Sequence, residues 1–360
     1  MTSASGHERP VLRVSVAGRV SADAVRALRD DEDLHLVGAT TPADVVVAPA
    51  TEGDLSRLVT FVPTPAALDE ALAVGADNLG PANRVLTTLA RAASGVSWPA
   101  DVRLAAPPVP RLGTAPPVTQ TVVAALGPAG ARWVAVGAGS DAVLEDRRGE
   151  VDAVVTASTT AVSGGCAVSL AAVAGRPALT VAARAFEDAI ACDIAAVLAP
   201  QPTIEVVWPL AGAGAVELVV FGAHLRGGAL SHQLTDLGAR WAGDLTTAPR
   251  YRMTVLPTVP AKPAVVRAAE GESGAALHGQ RWLMSAAALG RFLAALPPPM
   301  QLGKVEFDDG SWRTAFGCDG TAATGRDISA HGSWPAAVAA GAVPENGSAE
   351  ASTTTPRSGR

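Results

Sequence analysis

The chain has 360 residues, of which 48% are apolar, and a formal net charge of −6. This length and apolar content suffice for two or three domains with buried cores. The acidic balance and the lack of Lys/Arg clusters exclude nucleic acid as an expected partner. No apolar run reaches the length of a membrane span, and the N-terminus lacks the basic and apolar segments of a secretion signal. We therefore expect a cytoplasmic protein without membrane contact.

The cysteine pattern argues against metal sites and disulfides. Cys166, Cys192 and Cys318 lie far apart and lack zinc-ligand spacing. An odd number of cysteines in a chain without a secretion signal indicates free thiols. We expect neither a metal nor an organic cofactor.

Composition divides the chain into segments. Residues 1–10 and 341–360 are polar and rich in Ser, Thr, Gly and Pro, which predicts disordered ends, and the proline-rich residues 96–119 predict an extended linker. Residues 11–95 and 120–200 alternate short apolar runs with helical patterns, which predicts two α/β regions. In the first of them, this alternation is typical of a parallel, doubly wound sheet.

Within residues 11–95, the patterns predict strands at Val11–Val16, Leu34–Gly38, 44–48 and Val59–Val62, and helices at 22–28, Ala66–Val74 and Asn83–Ala93. This order, and the stretch ALDEALAVGADNLGPANRVLTTLARAASG in particular, resembles the receiver domain of response regulators. The receiver chemistry is missing. The first strand ends in Val16-Ala17-Gly18 instead of an acidic pair, Ala48-Pro49-Ala50 stands where the phosphoacceptor is expected, and no lysine precedes Lys262. Without these carboxylates a Mg²⁺ site and an acyl-phosphate are excluded. The resemblance therefore implies a degenerate receiver that docks or dimerises, so a homodimer is among the expected partners.

Within residues 120–200, the patterns predict strands at Trp133–Gly137, Asp152–Thr156 and Ala178–Ala182, and helices at 120–126, 167–174 and 186–198. A glycine turn, Ser163-Gly164-Gly165-Cys166, precedes the second of these helices. A cysteine at a helix N-terminus can have a lowered pKa and react. The favoured alternative is a tight turn with a small buried thiol.

The segment Val219–Leu234, VVFGAHLRGGALSHQL, is the strongest candidate for a functional site. An apolar strand ends at Gly222, and a short loop then presents His224 among small residues. Glycines allow the backbone to approach a ligand, and a histidine can donate, accept or carry a proton. A hairpin-like turn with an incidental histidine is the structural alternative.

Five motifs in this order resemble the C-terminal domain of allophanate hydrolases, which has a fold like that of γ-glutamyl cyclotransferases. They are GAHLRGGALSHQLTDLGARW, TTAPRYRM, VPAKPAVVRA, LPPPMQLGKVEFDDGSW and GRDISAHGSWPA, and they cover roughly Val216–Val338. The short apolar runs between turns independently predict a β-rich α+β domain over 204–340. One helix is predicted at Ala286–Ala295, and Asp308-Asp309-Gly310 is predicted to be a hairpin turn.

The resemblance implies a catalytic role for His224 as proton donor or orienting group. It also implies ligand contacts from Gly222, Ala223, Leu225, Gln233 and Tyr251. For Tyr251, a half-buried strand position is the competing interpretation. Lys262 and Lys304 match the family but are interpreted as surface charges.

Two departures bear on activity. Ser231 stands where the family usually has asparagine, and Gln280 stands near the acid/base glutamate of cyclotransferases. Glutamine has no ionisable proton, so cyclotransferase chemistry is not expected. The amidase half of allophanate hydrolase is also excluded, because no lysine precedes the Gly/Ser-rich stretch to act as the base.

The resemblance implies a hydrolase-related enzyme of urea catabolism that binds and decarboxylates a small carbamate- or urea-derived carboxylate of the N-carboxycarbamate kind. A separate amidase would be its partner. The alternative is a non-catalytic ligand sensor or scaffold built on the receiver-like domain, which Gln280 and the degenerate receiver favour.

Overall fold

The computed structural model describes residues 11–52, 57–68, 70–93, 98–114, 118–126, 131–135, 144, 150–157, 165–173, 177–199, 215–259 and 261–343. The chain divides into two compact units, Met1–Ala215 and Val216–Arg360. The expected disorder at 1–10, most of that at 341–360 and most of the glycine turn before Cys166 lie outside the described residues. The start of the expected disordered tail is ordered, because Ala342 and Val343 are buried in the core of the second unit.

The first unit contains a mixed sheet with helices packed against it. Its strands are β1 (Leu12–Val16), β2 (Leu34–Val37), β3 (Val45–Pro49), β4 (Val59–Val62), β5 (Leu72–Ala76), β6 (Arg111–Thr114), β7 (Arg132–Ala135), β8 (Ala153–Thr156), β9 (Cys166–Leu170) and β10 (Leu179–Ala183). Its helices are α1 (Ala22–Asp30), α2 (Pro65–Leu68), α3 (Leu79–Ala92), α4 (Val118–Leu126) and α5 (Asp188–Leu198). The strand order is β2-β1-β3-β5-β4-β9-β10-β8-β6-β7.

The sheet is parallel only towards its two ends, which corrects the expected parallel sheet. β1 pairs in parallel with β2 and β3, and β6 pairs in parallel with β7 and β8. The strands between them, β5, β4, β9 and β10, pair antiparallel. The sheet is therefore mixed, with two parallel ends joined by antiparallel strands.

Two apolar segments predicted as helices are strands, and they supply this antiparallel part. The helix expected at Ala66–Val74 ends as α2 at Leu68, and the fully buried β5 follows it. The helix expected at 167–174 is β9. Short apolar runs have no periodicity that separates a buried strand from a buried helix, so pairing partners decide between them.

The sheet continues across the expected linker. β6 lies within 96–119, and β4 pairs with β9 with Phe61 opposite Val168. The two regions expected to be separate therefore share one sheet and one core, to which Val14, Val74 and Val181 all contribute. The prolines at 107, 108 and 110 all lie before β6. Because proline lacks an N–H group, their position outside the strand leaves every residue of β6 able to donate a hydrogen bond to a neighbouring strand.

A buried ionic group joins β6 and β8. Asp152, immediately before β8, is fully buried and accepts hydrogen bonds from Arg103 Nη1 (2.8 Å) and from the backbone N and guanidinium of Arg111 (2.8–3.1 Å). Burial alone would raise the pKa of this carboxyl. The two arginines outweigh burial and lower its pKa from 3.8 to about 2. Asp152 is therefore a charged anchor in the sheet.

The second unit combines a five-stranded sheet with a β-hairpin and short helices. Its strands are β11 (Ala215–Val220), β12 (Arg240–Thr246), β13 (Tyr251–Leu256), β14 (Lys262–Arg267), β15 (His278–Ser285), β16 (Met300–Glu306) and β17 (Trp312–Cys318). Its helices are α6 (His232–Thr235), α7 (Ala286–Ala294) and α8 (Trp334–Ala339). The sheet order is β12-β15-β11-β17-β16, and β13 pairs with β14.

Local chemistry explains the elements that position the site. The Oγ of Ser285 accepts a hydrogen bond from Ala288 N and caps α7, and prolines at 297–299 follow its end. The predicted turn at Asp308–Gly310 joins β16 and β17, with Gly310 at φ +78°. The strand β12 was not predicted, because a bulge between Trp241 and Asp244 breaks its alternation.

Candidate functional site

The loop after β11 is closed by its own backbone. Leu225 N donates to Gly222 O (2.9 Å), Gly228 N to Leu225 O (2.7 Å) and Leu230 N to Ala223 O (2.9 Å). A Cβ at Gly222 would lie 2.4 Å from the ring of Pro263, and one at Gly228 would lie 2.5 Å from Ala223 O. Glycine is therefore required at both positions, because the loop packs tightly against β14 and against itself.

This loop places the His224 ring in a half-buried aromatic setting. The ring stacks on Phe316 with centroids 5.1 Å apart and meets the edge of Phe292 at 5.4 Å. Its Nε2 lies 2.9 Å from Oε1 of Gln233, nine residues further along the chain. An amide oxygen only accepts, so Nε2 carries the proton and Nδ1 keeps its lone pair.

The environment of His224 favours the neutral ring. Burial lowers the pKa of His224 below the ordinary 6.5, and the charges of Lys262 and His232 lower it further. The hydrogen bond to Gln233 acts in the opposite direction and raises the pKa. A neutral imidazole with one fixed N–H and one lone pair can pass a proton between two atoms of a bound molecule.

His224 lines a cavity of about 500 Å³ within the second unit. One side is formed by Val220–His224 together with Gln233 and Lys262. The helix α7 and the segment after it contribute Arg291 and a mostly apolar set of residues, Phe292, Ala295, Leu296, Pro297 and Met300. A cavity of this size with a few converging polar groups is the usual form of a small-molecule site.

The cavity carries charged groups that are free to meet a ligand. Lys262, Arg291 and Asp236 line it, and within the described ranges no hydrogen bond or ion pair engages their side chains. The N–H groups of Ala223 and His224 likewise make no hydrogen bond to other described residues. Cations and free N–H groups beside a neutral histidine suit a carboxylate. No cluster of three or more His, Cys, Asp or Glu side chains suited to a metal occurs in the described part of the chain.

The structure brings together four of the predicted site residues. Gly222, Ala223, His224 and Gln233 line the cavity. Leu225 is buried in the core of the unit and lies outside the cavity lining. Its N–H closes the loop turn, so it is not available to a ligand.

Tyr251 also lies outside the cavity lining. It is 3% exposed, its hydroxyl accepts a hydrogen bond from Glu306 N (2.7 Å), and the Arg267 guanidinium lies 5.8 Å from its ring. Tyr251 therefore occupies a strand position, as in the competing interpretation, but its side chain is fully buried and not half-buried.

The two departures from the family pattern have structural roles. Gln280 accepts a hydrogen bond from Arg226 N (2.6 Å) and donates one to Asp244 Oδ1 (3.0 Å), so it holds the loop to β12 from outside the cavity lining. The Oγ of Ser231 donates to Gly228 O (2.8 Å) and closes the same loop.

Sequence reasoning missed the cations and aromatic rings of the cavity. The sequence predicts a surface charge for Lys262 and gives no signal for Arg291, Phe292 or Phe316. The PAKP motif was the available signal for Lys262, because Pro263 packs on Gly222 and so places its neighbour beside the loop. No local pattern distinguishes Arg291 from the other arginines.

Comparison with known proteins identifies the second unit. The family model of the allophanate hydrolase C-terminal domain matches residues 216–339. Urea amidolyases of Lachancea kluyveri and Saccharomyces cerevisiae are 34% identical over 106 residues and 29% identical over 105 residues, respectively. Each alignment covers 29% of this chain and 6% of the relative, so the chain spans a small part of these proteins.

Solved structures extend the similarity of fold to the first unit. The K. lactis urea amidolyase matches with a TM-score of 0.68, and a variant of Kluyveromyces lactis allophanate hydrolase with 0.67. Both matches are 15% identical and cover 91% of this chain, and they cover 32% and 88% of those chains. At this identity the likeness concerns the fold alone, that of a multidomain mixed α/β protein. No helix among the described residues is long and apolar enough to cross a membrane.

Proposed function

Because residues 216–339 are an allophanate hydrolase C-terminal domain, we propose that this unit binds a small carboxylated carbamate in its cavity and decarboxylates it. The family resemblance supplies the substrate class, N-carboxycarbamate. The observation that carries the proposal is the His224–Gln233 pair on the cavity wall, at 2.9 Å.

The charges around the cavity support binding of a carboxylate. Lys262 and Arg291 are cations on the wall, and the N–H groups of Ala223 and His224 are hydrogen-bond donors in the adjoining loop. Inside a largely apolar cavity, each of these interactions is stronger than in water. Asp236 is the acidic wall residue and disfavours a carboxylate beside it, so we assign the carboxylates to the side of Lys262.

The reaction needs one proton to move as one bond breaks. In monoprotonated N-carboxycarbamate, the C–N bond breaks, its electron pair stays on nitrogen, and the released carbon leaves as CO₂. The carboxyl proton moves to nitrogen, so the other product is carbamate. Neutral His224 can accept this proton at Nδ1 from the carboxyl oxygen and return it to nitrogen, while Gln233 holds Nε2.

A non-catalytic ligand sensor or scaffold is the second candidate. The partner of His224 is an amide and not a carboxylate, so no negative group in this contact stabilises a protonated ring. Such a site can bind an anion without turning it over. In that case the cavity acts as a receptor, and the first unit connects it to other proteins.

A coupled assay tests the proposal. An allophanate hydrolase amidase domain, separated from its own C-terminal module, is supplied with allophanate, with and without the full chain. We expect faster release of CO₂ with the full chain. The His224→Ala variant should lose this acceleration, whereas His331→Ala, an exposed histidine of the same unit, should retain it.

The outcomes separate the two candidates. CO₂ release that is no faster with the protein, together with binding of malonate that depends on His224, favours the receptor. Equal acceleration by the wild type and His224→Ala would overturn the role assigned to the histidine. Release that depends on both His224 and the added amidase would make a separate amidase the functional partner.

A further inference from the structure

The cavity is much larger than the head group that the proposed function places in it. N-carboxycarbamate has about seven non-hydrogen atoms, which fill at most ~200 Å³ at the ~30 Å³ that one water molecule occupies. The cavity measures about 500 Å³. More than half of the space is therefore left over when this head group is bound.

Most of the residues that line the cavity are apolar. The polar wall residues are His224, Gln233, Lys262, Arg291 and Asp236. The segment after α7 contributes Ala295, Leu296, Pro297 and Met300, and Leu230 and Leu237 extend the apolar wall. Water filling this part would have few hydrogen-bond partners, so the wall favours carbon atoms over water.

The charges and the apolar wall together define the ligand. The cations and His224 suit a carboxylate, and the remaining wall suits an aliphatic or other apolar group of several carbons. We infer that the ligand is an amphipathic carboxylate, an N-substituted member of the carbamate class whose apolar substituent lies along the segment 295–300. This inference rests on the proposed function for the head group and adds the substituent.

The reaction proposed above tolerates such a substituent. With a group on nitrogen, the C–N electron pair still stays on nitrogen, which still receives the carboxyl proton, and CO₂ still leaves. The second product is then an N-substituted carbamate. The substituent contributes binding energy from a part of the molecule that does not react.

Binding of malonates to the full chain tests the inference. Malonate carries a CH₂ where N-carboxycarbamate carries NH, and ethyl-, butyl- and hexylmalonate add tails at that carbon. One fully buried methylene gives about a fourfold gain in affinity. If each of the four tail carbons contributes half of that free energy, butylmalonate should bind at least ~15-fold more tightly than malonate. Calorimetry measures this ratio.

Matched variants test which part of the cavity wall binds the apolar substituent. Leu296→Gln makes the apolar wall polar and should abolish most of the gain from the tail, so that the affinity ratio of butylmalonate to malonate falls towards one. Leu293→Gln changes a 52% exposed residue of α7 that lies outside the cavity lining, and it should behave as the wild type. Ala295→Phe fills the same wall and should weaken hexylmalonate more than malonate.

Each outcome decides a separate point. Equal affinity for malonate and butylmalonate overturns the inference and leaves the proposed function standing. A gain from the tail that survives both Leu296→Gln and Ala295→Phe also overturns it. Tail-dependent binding that His224→Ala leaves unchanged supports the apolar wall and overturns the assignment of the head group. If none of these malonates binds, the inference fails, and the coupled CO₂ assay decides the proposed function separately.

Discussion

Replacing Asp152 by asparagine should destabilise the first unit in a pH-dependent way. The side chain is fully buried and holds Arg103 and Arg111 through hydrogen bonds of 2.8–3.1 Å. Asparagine has nearly the same shape and keeps one acceptor oxygen. The change therefore removes the negative charge while leaving the packing of β6 and β8 largely intact.

The lowered pKa of Asp152 sets the size of the expected loss in the free energy of unfolding. A fall from 3.8 to about 2 corresponds to ~2.4 kcal/mol of stability from the charged form. The folded-state pKa lies below the unfolded value, so this contribution is complete above about pH 5 and is lost as the pH falls toward 2. About half of it remains at pH 3. The arginines are 24% and 37% exposed and can reach water, so we expect a loss of about 2–3 kcal/mol at neutral pH.

Hydrogen exchange of the β6 and β8 amides measures this loss in the first unit alone. The difference in protection between wild type and Asp152→Asn should shrink as the pH is lowered from neutral towards 3. Asp23→Asn, which changes an 85% exposed carboxylate, is the matched control and should stay within about 0.5 kcal/mol of the wild type. A difference that is independent of pH, or absent at neutral pH, would refute the electrostatic argument.

Three further predictions concern the site and the thiol. NMR titration of His224 should give a pKa below the ordinary 6.5, and Gln233→Leu should lower it further because a hydrogen bond that raises the pKa is removed; a raised pKa in that variant would contradict the assigned contact. Gly222→Ala should weaken malonate binding by roughly tenfold or more, because its Cβ would lie 2.4 Å from Pro263 and displace the loop; unchanged affinity would show that the loop tolerates the shift. Burial raises the pKa of the Cys166 thiol well above its usual value, so labelling by a thiol reagent should be slow in the folded protein and fast in urea. Fast labelling of the folded chain would revive a reactive cysteine.

Sequence patterns predicted the second unit well where the signal is local. The helix predicted at Ala286–Ala295 is one residue shorter as α7, and the turn predicted at Asp308–Gly310 joins β16 and β17. The loop that carries His224 and Gln233 lines a cavity. The family resemblance over 216–338 is confirmed by the family model. Strand alternation, a serine cap and glycines at close contacts are local signals, because each depends only on residues that are neighbours in sequence.

The first unit was harder to predict, because its strand partners are distant in sequence. The expected linker at 96–119 contains β6, and the sheet joins residues near 60 to residues near 168. The glycine turn suggests a helix N-terminus at Cys166, but this residue lies at the start of the buried strand β9. Alternation of strands and helices indicates an α/β unit, but it does not say which strands pair or in which direction.

The sequence alone determined the family of the second unit and the loop that carries His224, since both depend on residue types at fixed short spacings. Only the tertiary structure decided what surrounds His224. Lys262, Arg291 and Phe316 lie on different elements, and Leu225 and Tyr251 turn out to lie outside the cavity lining. Strand pairing and helix packing bring distant residues to one wall, and no local pattern encodes that convergence.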